Sequence, residues 1–380
     1  MAAGRSSVLL LLCVRALACR DPKAWPYNAT SVWNTPIGGD AVYVPAHLFP
    51  GAPPRLGIFV DTDYFVATAG ADPLIPWYSQ GWWNSTPHCE QLPWSPRVGA
   101  VPWPPALTIT AGGNNALALL LPDGDSLIFT QPAYRCSPTA PLLGLRDASH
   151  GTGSLRGLGN WGGHGGSALN AIGGSLRVGE LLPAGGGGSG GGGAAAPPPH
   201  VLKLQLWAAR YYYGPAHGAT WSTCHRWPAL VCDGYFMDPA LYNGTNAALK
   251  PGALLALPPA ALPSLLASLS TAPARALAWT LAHYGGLLAD DTYADRATFN
   301  AEAGFTDAFQ AAWGWPFEAA PGDARPGAAA WLADVLALFR ALQVVDSNGP
   351  GAPGGGGAPL QPPPPPFCPS PTAPPRPQGG

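Results

Sequence analysis

Charge is what this chain has least of. Its 380 residues carry 19 lysines and arginines against 21 aspartates and glutamates, a formal net charge of −2 and a charged fraction of 11%. An ordinary domain has about 25% charged residues. Near neutrality excludes the basic footprint of a nucleic-acid binder and a polybasic membrane patch. Scarcity also means that each charge inside an ordered segment needs a reason. Long apolar runs are missing too. Residues 117–121 and 254–257 are apolar, but a spanning helix needs roughly 20 such residues. The Pro-rich C-terminus lacks the hydrophobic tail of a lipid-anchor signal. Familiar catalytic signatures are absent as well. No Gly loop is followed by Lys, no H-E-x-x-H occurs, and Ser167 sits in Gly165-Gly166-Ser167-Ala168-Leu169 rather than a G-x-S-x-G elbow. No internal repeat is visible.

The N-terminus reads as an export signal. Arg5 is followed by an apolar stretch over 8–14 and by Ala16-Leu17-Ala18, a small-residue cleavage site. Cleavage after Ala18 removes Cys13. It leaves six of the seven cysteines: Cys19, Cys89, Cys136, Cys224, Cys232 and Cys368. An even number in a secreted chain suggests a disulfide framework. Cys224 and Cys232 are close enough to close a local loop. Cys89 with Cys136 is the next pairing, and Cys19 with Cys368 then ties the two ends together. Cys224-His225…Cys232 fits no zinc spacing, so no metal is expected, and no cofactor. Asn28, Asn84 and Asn243 each open an N-x-S/T triplet for glycosylation. The expected location is extracellular or the cell wall.

Glycine (50) and proline (47) are abundant, yet 15 tryptophans and 47% hydrophobic residues argue for a packed core. Much of the excess lies in two segments. Residues 185–199 run through Gly, Ala and Pro and read as a flexible loop. Residues 347–380 read as a disordered Gly/Pro-rich tail whose proline run at 362–366 adopts polyproline II. Between signal and tail, 19–346 reads as one globular domain interrupted by that loop. Short apolar runs bounded by turns at 107–110, 116–121, 126–130 and 254–257 suggest a meander. Residues 201–207 alternate as a half-buried strand does. Helices are expected over 273–284, 298–313 and 328–342; Thr271 caps the first and Gly285 stops it. The expectation is mainly β: an antiparallel β-sandwich or jelly-roll-like body with several helices in the C-terminal third, α+β overall.

Four blocks concentrate the remaining polar residues. They are Ser31-Val32-Trp33-Asn34-Thr35-Pro36-Ile37; the Gly-rich stretch 162–181; His225-Arg226-Trp227-Pro228-Ala229 with Asp233-Gly234-Tyr235; and Tyr284-Gly285-Gly286 with Asp290-Asp291-Thr292. In this order they resemble an uncharacterised family of secreted proteins of actinobacteria and green algae. That family's second block reads G-G-S-x-L-x-x-x-G-G-x-x-R-x-G-E, and its third reads W-P-A followed by D-G. The resemblance covers most of residues 31–292. It implies secretion and common ancestry but carries no established activity.

Read chemically, His164 between paired glycines is a candidate general base. Arg226 is a candidate contact for a sugar-acid carboxylate and Asp233 a candidate acid. Arg177 offers a second carboxylate contact or pairs with Glu180 at a turn. Trp227 offers a stacking face or packs in the core. Asp290 and Asp291 supply carboxylates; on a strand they point to opposite faces, so at most one would share a cleft with Asp233. Two functions fit these features. One is a secreted protein that binds or cleaves polysaccharide, as a lyase or glycoside hydrolase if an enzyme. The other is a non-catalytic matrix glycoprotein tethered by its Pro-rich tail to the wall.

Overall fold

The computed structural model describes residues 19–79, 97–110, 113–145, 151–184 and 194–369. Cys89, Asn84, the export segment and most of the Gly-run lie outside them. The strands are β1 (Tyr43–Pro45), β2 (Ile58–Ala67), β3 (Leu74–Tyr78), β4 (Arg97–Pro102), β5 (Ala116–Leu120), β6 (Ser126–Thr130), β7 (Ala133–Tyr134) and β8 (Leu142–Gly144). They continue with β9 (Thr152–Ser154), β10 (Gly163–His164), β11 (Leu169–Asn170), β12 (Leu202–Leu206), β13 (Leu254–Ala256), β14 (Gly286–Asp291), β15 (Ala297–Glu302) and β16 (Gln343–Val345). The helices are α1 (Ala208–Tyr211), α2 (Leu262–Ser268), α3 (Ala272–His283), α4 (Phe305–Trp313) and α5 (Ala328–Ala341). No helix among the described residues is long and apolar enough to cross a membrane.

The fold is sheet-rich, but the antiparallel sandwich is corrected to a mixed sheet. Ten strands pair in the order β1-β16-β13-β14-β12-β15-β2-β5-β6-β9. β12 runs parallel to β14, and β2 runs parallel to both β15 and β5. The reason lies in the connections. Within the ten-stranded sheet, among the described residues, only the short Pro122–Asp125 turn makes a tight hairpin, joining β5 to β6. Between β2 and β5 the chain detours through β3 and β4, part of a four-stranded sheet ordered β4-β3-β8-β7. Between β12 and β14 it detours through β13, α2 and α3. Crossovers of that length permit parallel pairing.

The expected helix over 298–313 is also corrected. Its first part is β15, where Ala297, Phe299 and Ala301 point into the core at period two. Gly304, with φ at +91°, ends the extended run, and α4 follows. Thr271 does precede α3, but its hydroxyl donates to Asp334 at 2.7 Å rather than capping the helix.

One face of the sheet is apolar. Leu202, Leu204, Leu206, Phe299, Val60 and Leu288 pack with α3, α4 and α5 in the largest hydrophobic cluster. The opposite face is covered by the chain at 161–176, which carries the β10–β11 hairpin, and by Trp33 and its neighbours. That second face holds the polar residues described below.

Both ends of the described chain are tied. Cys19 is bonded to Cys368 and Cys224 to Cys232; Cys136 is disulfide-bonded as well. The disordered tail is corrected as far as Pro369, the last described residue. Gly354 and Gly355 are buried, and Gly38 donates to the Gly354 carbonyl at 3.0 Å. The Arg20 guanidinium donates to the Pro365 carbonyl at 2.8 Å and lies 3.9 Å from the Phe367 ring centre. Glycines let this tail lie closely against residues 36–41, where a Cβ at Gly354 would meet the Pro36 carbonyl. Residues 194–199, the end of the expected flexible loop, return along the chain: Ala184 donates to the Ala194 carbonyl at 2.8 Å.

Candidate functional site

Three neighbouring strands place polar side chains at alternate positions on the second face. β2 contributes Asp61 and Asp63, β12 contributes Lys203 and Gln205, and β15 contributes Thr298 and Asn300; all six are buried. Period-two geometry puts each pair on one face. Burying such groups is costly unless they are paired, and the face is densely paired. Lys203 Nζ lies 2.9 Å from Asp63 Oδ2 and donates to the carbonyls of Asn170 (2.8 Å) and Ala171 (2.7 Å). That uses all three ammonium protons. Ser175 Oγ donates to Asp63 Oδ2 at 2.6 Å. Gln205 Nε2 donates to Asp61 Oδ2 at 2.7 Å.

His164 is laid onto this face by the β10–β11 hairpin. Its Nε2 is 3.1 Å from Asp63 Oδ1 and 3.4 Å from Asp61 Oδ2, and the Asn300 amide packs 2.8 Å from the same nitrogen. The ring is fully buried. Burial and the Lys203 charge push its pKa down, but Asp63 and Asp61 outweigh them and raise it to about 9. Asp61 shows the converse. Burial pushes its carboxyl up, yet His164, Gln205 and Asn114 hold it below the ordinary value.

The turn after His164 explains its glycines. A Cβ on Gly165 would stand in the Asp290 carboxyl, and one on Gly166 would stand in the Asp233 carboxyl. Gly165 also needs its φ of +58°. Gly166 N donates to Asp290 Oδ1 at 2.9 Å. On the other side, Asn114 Nδ2 bridges Asp290 Oδ2 (2.8 Å) and Asp61 Oδ2 (3.0 Å). Burial raises the Asp290 carboxyl to about 6, against the pull of His164 and Gly166.

Asp233 and Asp291 complete the group. The Tyr242 hydroxyl donates to Asp233 Oδ2. Tyr235 donates to Asp291 Oδ2 at 3.1 Å, and Ala208 N to Asp291 Oδ1 at 2.7 Å. Burial and the neighbouring Asp290 push Asp233 well above the ordinary range, and burial raises Asp291. Asp290 and Asp291 still alternate, as neighbours on a strand do: Asp290 pairs with Gln205 of the polar face and Asp291 with Leu206 of the apolar one. A bulge decides which of them faces the cluster: Leu204 pairs with Leu288 but Gln205 with Asp290, so β14 carries an extra residue that turns Asp290 onto the polar face.

The other candidates go elsewhere. Arg226 holds Asp346, with Nη1 2.9 Å from its carboxylate and Nη2 2.7 Å from its carbonyl. Arg177 does not form a side-chain pair with Glu180. Its guanidinium meets Glu302 at 3.3 Å and the Lys23 carbonyl at 2.8 Å, while its backbone N–H donates to Glu180 and Glu180 holds His200 at 3.0 Å. Trp227 is half-buried against the second hydrophobic cluster. Asn28 is half-buried and Asn243 exposed.

Asp61, His164 and Asp290 bring one ligand atom each within 4.8 Å of one another. Two carboxylate oxygens and an imidazole would suit a divalent cation, but amide and imidazole hydrogen bonds already occupy the Asp61 and Asp290 oxygens. No family model, no curated protein and no solved structure matches the chain.

Proposed function

We propose that the chain hydrolyses glycosidic bonds in extracellular polysaccharide, with Asp290 as proton donor and Asp61 as the facing carboxylate. One observation carries this reading. Two carboxylates lie with oxygens within 4.8 Å, one held ionised and one raised to about 6. Pairs pushed apart in this way divide into acid and base. Oxygens this close favour the retaining class, in which carboxyls about 5–5.5 Å apart act as acid and nucleophile, over the inverting class at about 6.5–9.5 Å. His164 is then a positioning residue that keeps Asp61 charged, and the charge on Asp61 helps burial keep Asp290 protonated. The disulfides support an oxidising, extracellular location. The tethering role is less supported, because Pro365 and Pro366 accept hydrogen bonds from Arg20 instead of lying free.

The test is incubation with a glycan library, reading new reducing ends and the absorbance of unsaturated products. Reducing ends without unsaturation are expected, with a rate that falls as pH rises through about 6 while Asp290 loses its proton. Asp61→Asn and Asp290→Asn should each lower the rate by about 10²–10⁴-fold. Unsaturated products would indicate a lyase, and activity retained in both variants would remove the pair from the chemistry.

A further inference from the structure

Large side chains stand exposed around the place where the aspartates reach the surface. Asp233, Asp290 and Asp291 keep 9%, 6% and 8% of their area, while Trp161 keeps 52% and Tyr293 64%. A chain of contacts joins them. Trp161 Nε1 donates to the Pro228 carbonyl at 3.3 Å, and Leu230 N donates to the Ser167 carbonyl at 3.2 Å. Asp233, three residues beyond Leu230 in the same segment, lies against Gly166. Tyr235 then packs edge-on to Tyr293 with ring centres 5.6 Å apart, and Tyr293 N donates to Asp291 Oδ1 at 3.0 Å. Leu230 and Val231, also about half exposed, lie in the same segment, between Pro228, which Trp161 contacts, and Tyr235, which Tyr293 contacts. The Cys224–Cys232 disulfide closes this segment into a short loop.

We infer that this band, from Trp161 across Leu230 and Val231 to Tyr293, is a binding platform for uncharged sugar rings; the assignment rests on the hydrolytic reading above. Sugar rings present apolar C–H faces that stack on aromatic rings while their hydroxyls reach polar groups. Here the polar groups beneath the band are carboxyls. The charge around them selects against an acidic chain. Asp61 and Asp291 repel a uronate, and the cations nearby are engaged. Lys203 and His164 are held by Asp63 and Asp61. Arg296 donates to the Thr292 carbonyl and stacks 4.0 Å from the Phe59 ring centre. Arg177 and Arg226, the cations that would have received a sugar acid, are held by Glu302 and Asp346.

The test uses the full disulfide-bonded chain with Asp290→Asn, so that binding is measured without turnover. Neutral β-linked gluco- and manno-oligosaccharides and an oligouronate of equal length are titrated calorimetrically. Binding of a neutral oligosaccharide is expected, with the oligouronate at least tenfold weaker. Trp161→Ala and Tyr293→Ala should each weaken neutral binding about tenfold, with unchanged melting temperatures because both side chains are exposed. Equal affinity in the double variant, preference for the oligouronate, or no neutral binding would overturn the platform. Turnover in the Asp290-containing chain separates the two ideas. Hydrolysis with KM unmoved by Trp161→Ala and Tyr293→Ala sinks the platform and keeps the carboxylate pair. Binding lost in those variants, with no turnover in the native chain, keeps the platform and sinks the pair.

Discussion

Lys203→Met should be among the most damaging substitutions in the protein, although it replaces a long side chain by an apolar one of similar length. Lys203 is fully buried. Its ammonium neutralises Asp63 at 2.9 Å and donates to the carbonyls of Asn170 and Ala171. Methionine restores the volume but none of the three donors. Asp63 would then keep the Ser175 hydroxyl, the Asn300 amide at 3.4 Å and its contact with His164. Removing one partner of a buried pair costs about 3–5 kcal/mol, because the remaining charge is stranded. That is a large part of the about 5–15 kcal/mol that holds a typical domain folded. Asp63→Asn in the same chain removes the stranded charge. The double variant should therefore be more stable than the sum of the two single losses by about 2 kcal/mol. Urea denaturation of the oxidised protein, comparing midpoints and slopes across the four chains, measures this. A loss below about 1 kcal/mol for Lys203→Met, or strict additivity, would refute the claim that this pair holds the polar face together.

Two further outcomes follow from the same face. His164 titrates near 6.5 when unfolded and about 9 when folded. Between those values the folded chain keeps a proton that the unfolded chain has lost. Its contribution, on the order of 3 kcal/mol, is full below pH 6.5 and disappears as pH rises through 9. The denaturation midpoint should fall over that interval in the native chain and much less in His164→Gln; equal slopes would show that the imidazole is not what titrates. Gly166→Ala should cost about 1–3 kcal/mol by overpacking against Asp233 and should lower glycan turnover more than tenfold by displacing the N–H that holds Asp290. A variant with native melting temperature and native rate would show that the close approach of the turn to the carboxyls is dispensable.

Elements whose pattern is local were legible. β5, β6, β12, β13, α3 and α5 fall within a residue or two of where turn residues and apolar spacing put them. β15 was not, because an Ala-rich stretch reads as helix unless it is known that Phe299 must face the apolar side of a sheet. The pairing of distant strands was not legible either, since β2 meets β15 across more than half the chain.

The candidate site divides in the same way. His164 announced itself through its glycines, and Asp233, Asp290 and Asp291 through their turns. The sheet-borne half, Asp61, Asp63, Lys203, Gln205 and Asn300, stayed hidden, since alternation in 201–207 normally means that the polar residues face water. Here they face a second layer of chain. A usable signal was nevertheless present. Asp61 and Asp63 interrupt Ile58–Ala67, an otherwise mostly apolar strand, in a chain where charge is rare. Two acids at period two in such a strand must either reach solvent or find buried cations. Lys203 and His164 are those cations, and they arrive from β12 and from the Gly-rich turn. The scarcity of charge and the density of this cluster are thus one fact: ordered charges here are gathered where they can neutralise one another. The residues left over at the margin are Asp290 and Asp233, whose carboxyls burial raises above the ordinary range; on the reading proposed above, Asp290 is the one that gives up its proton.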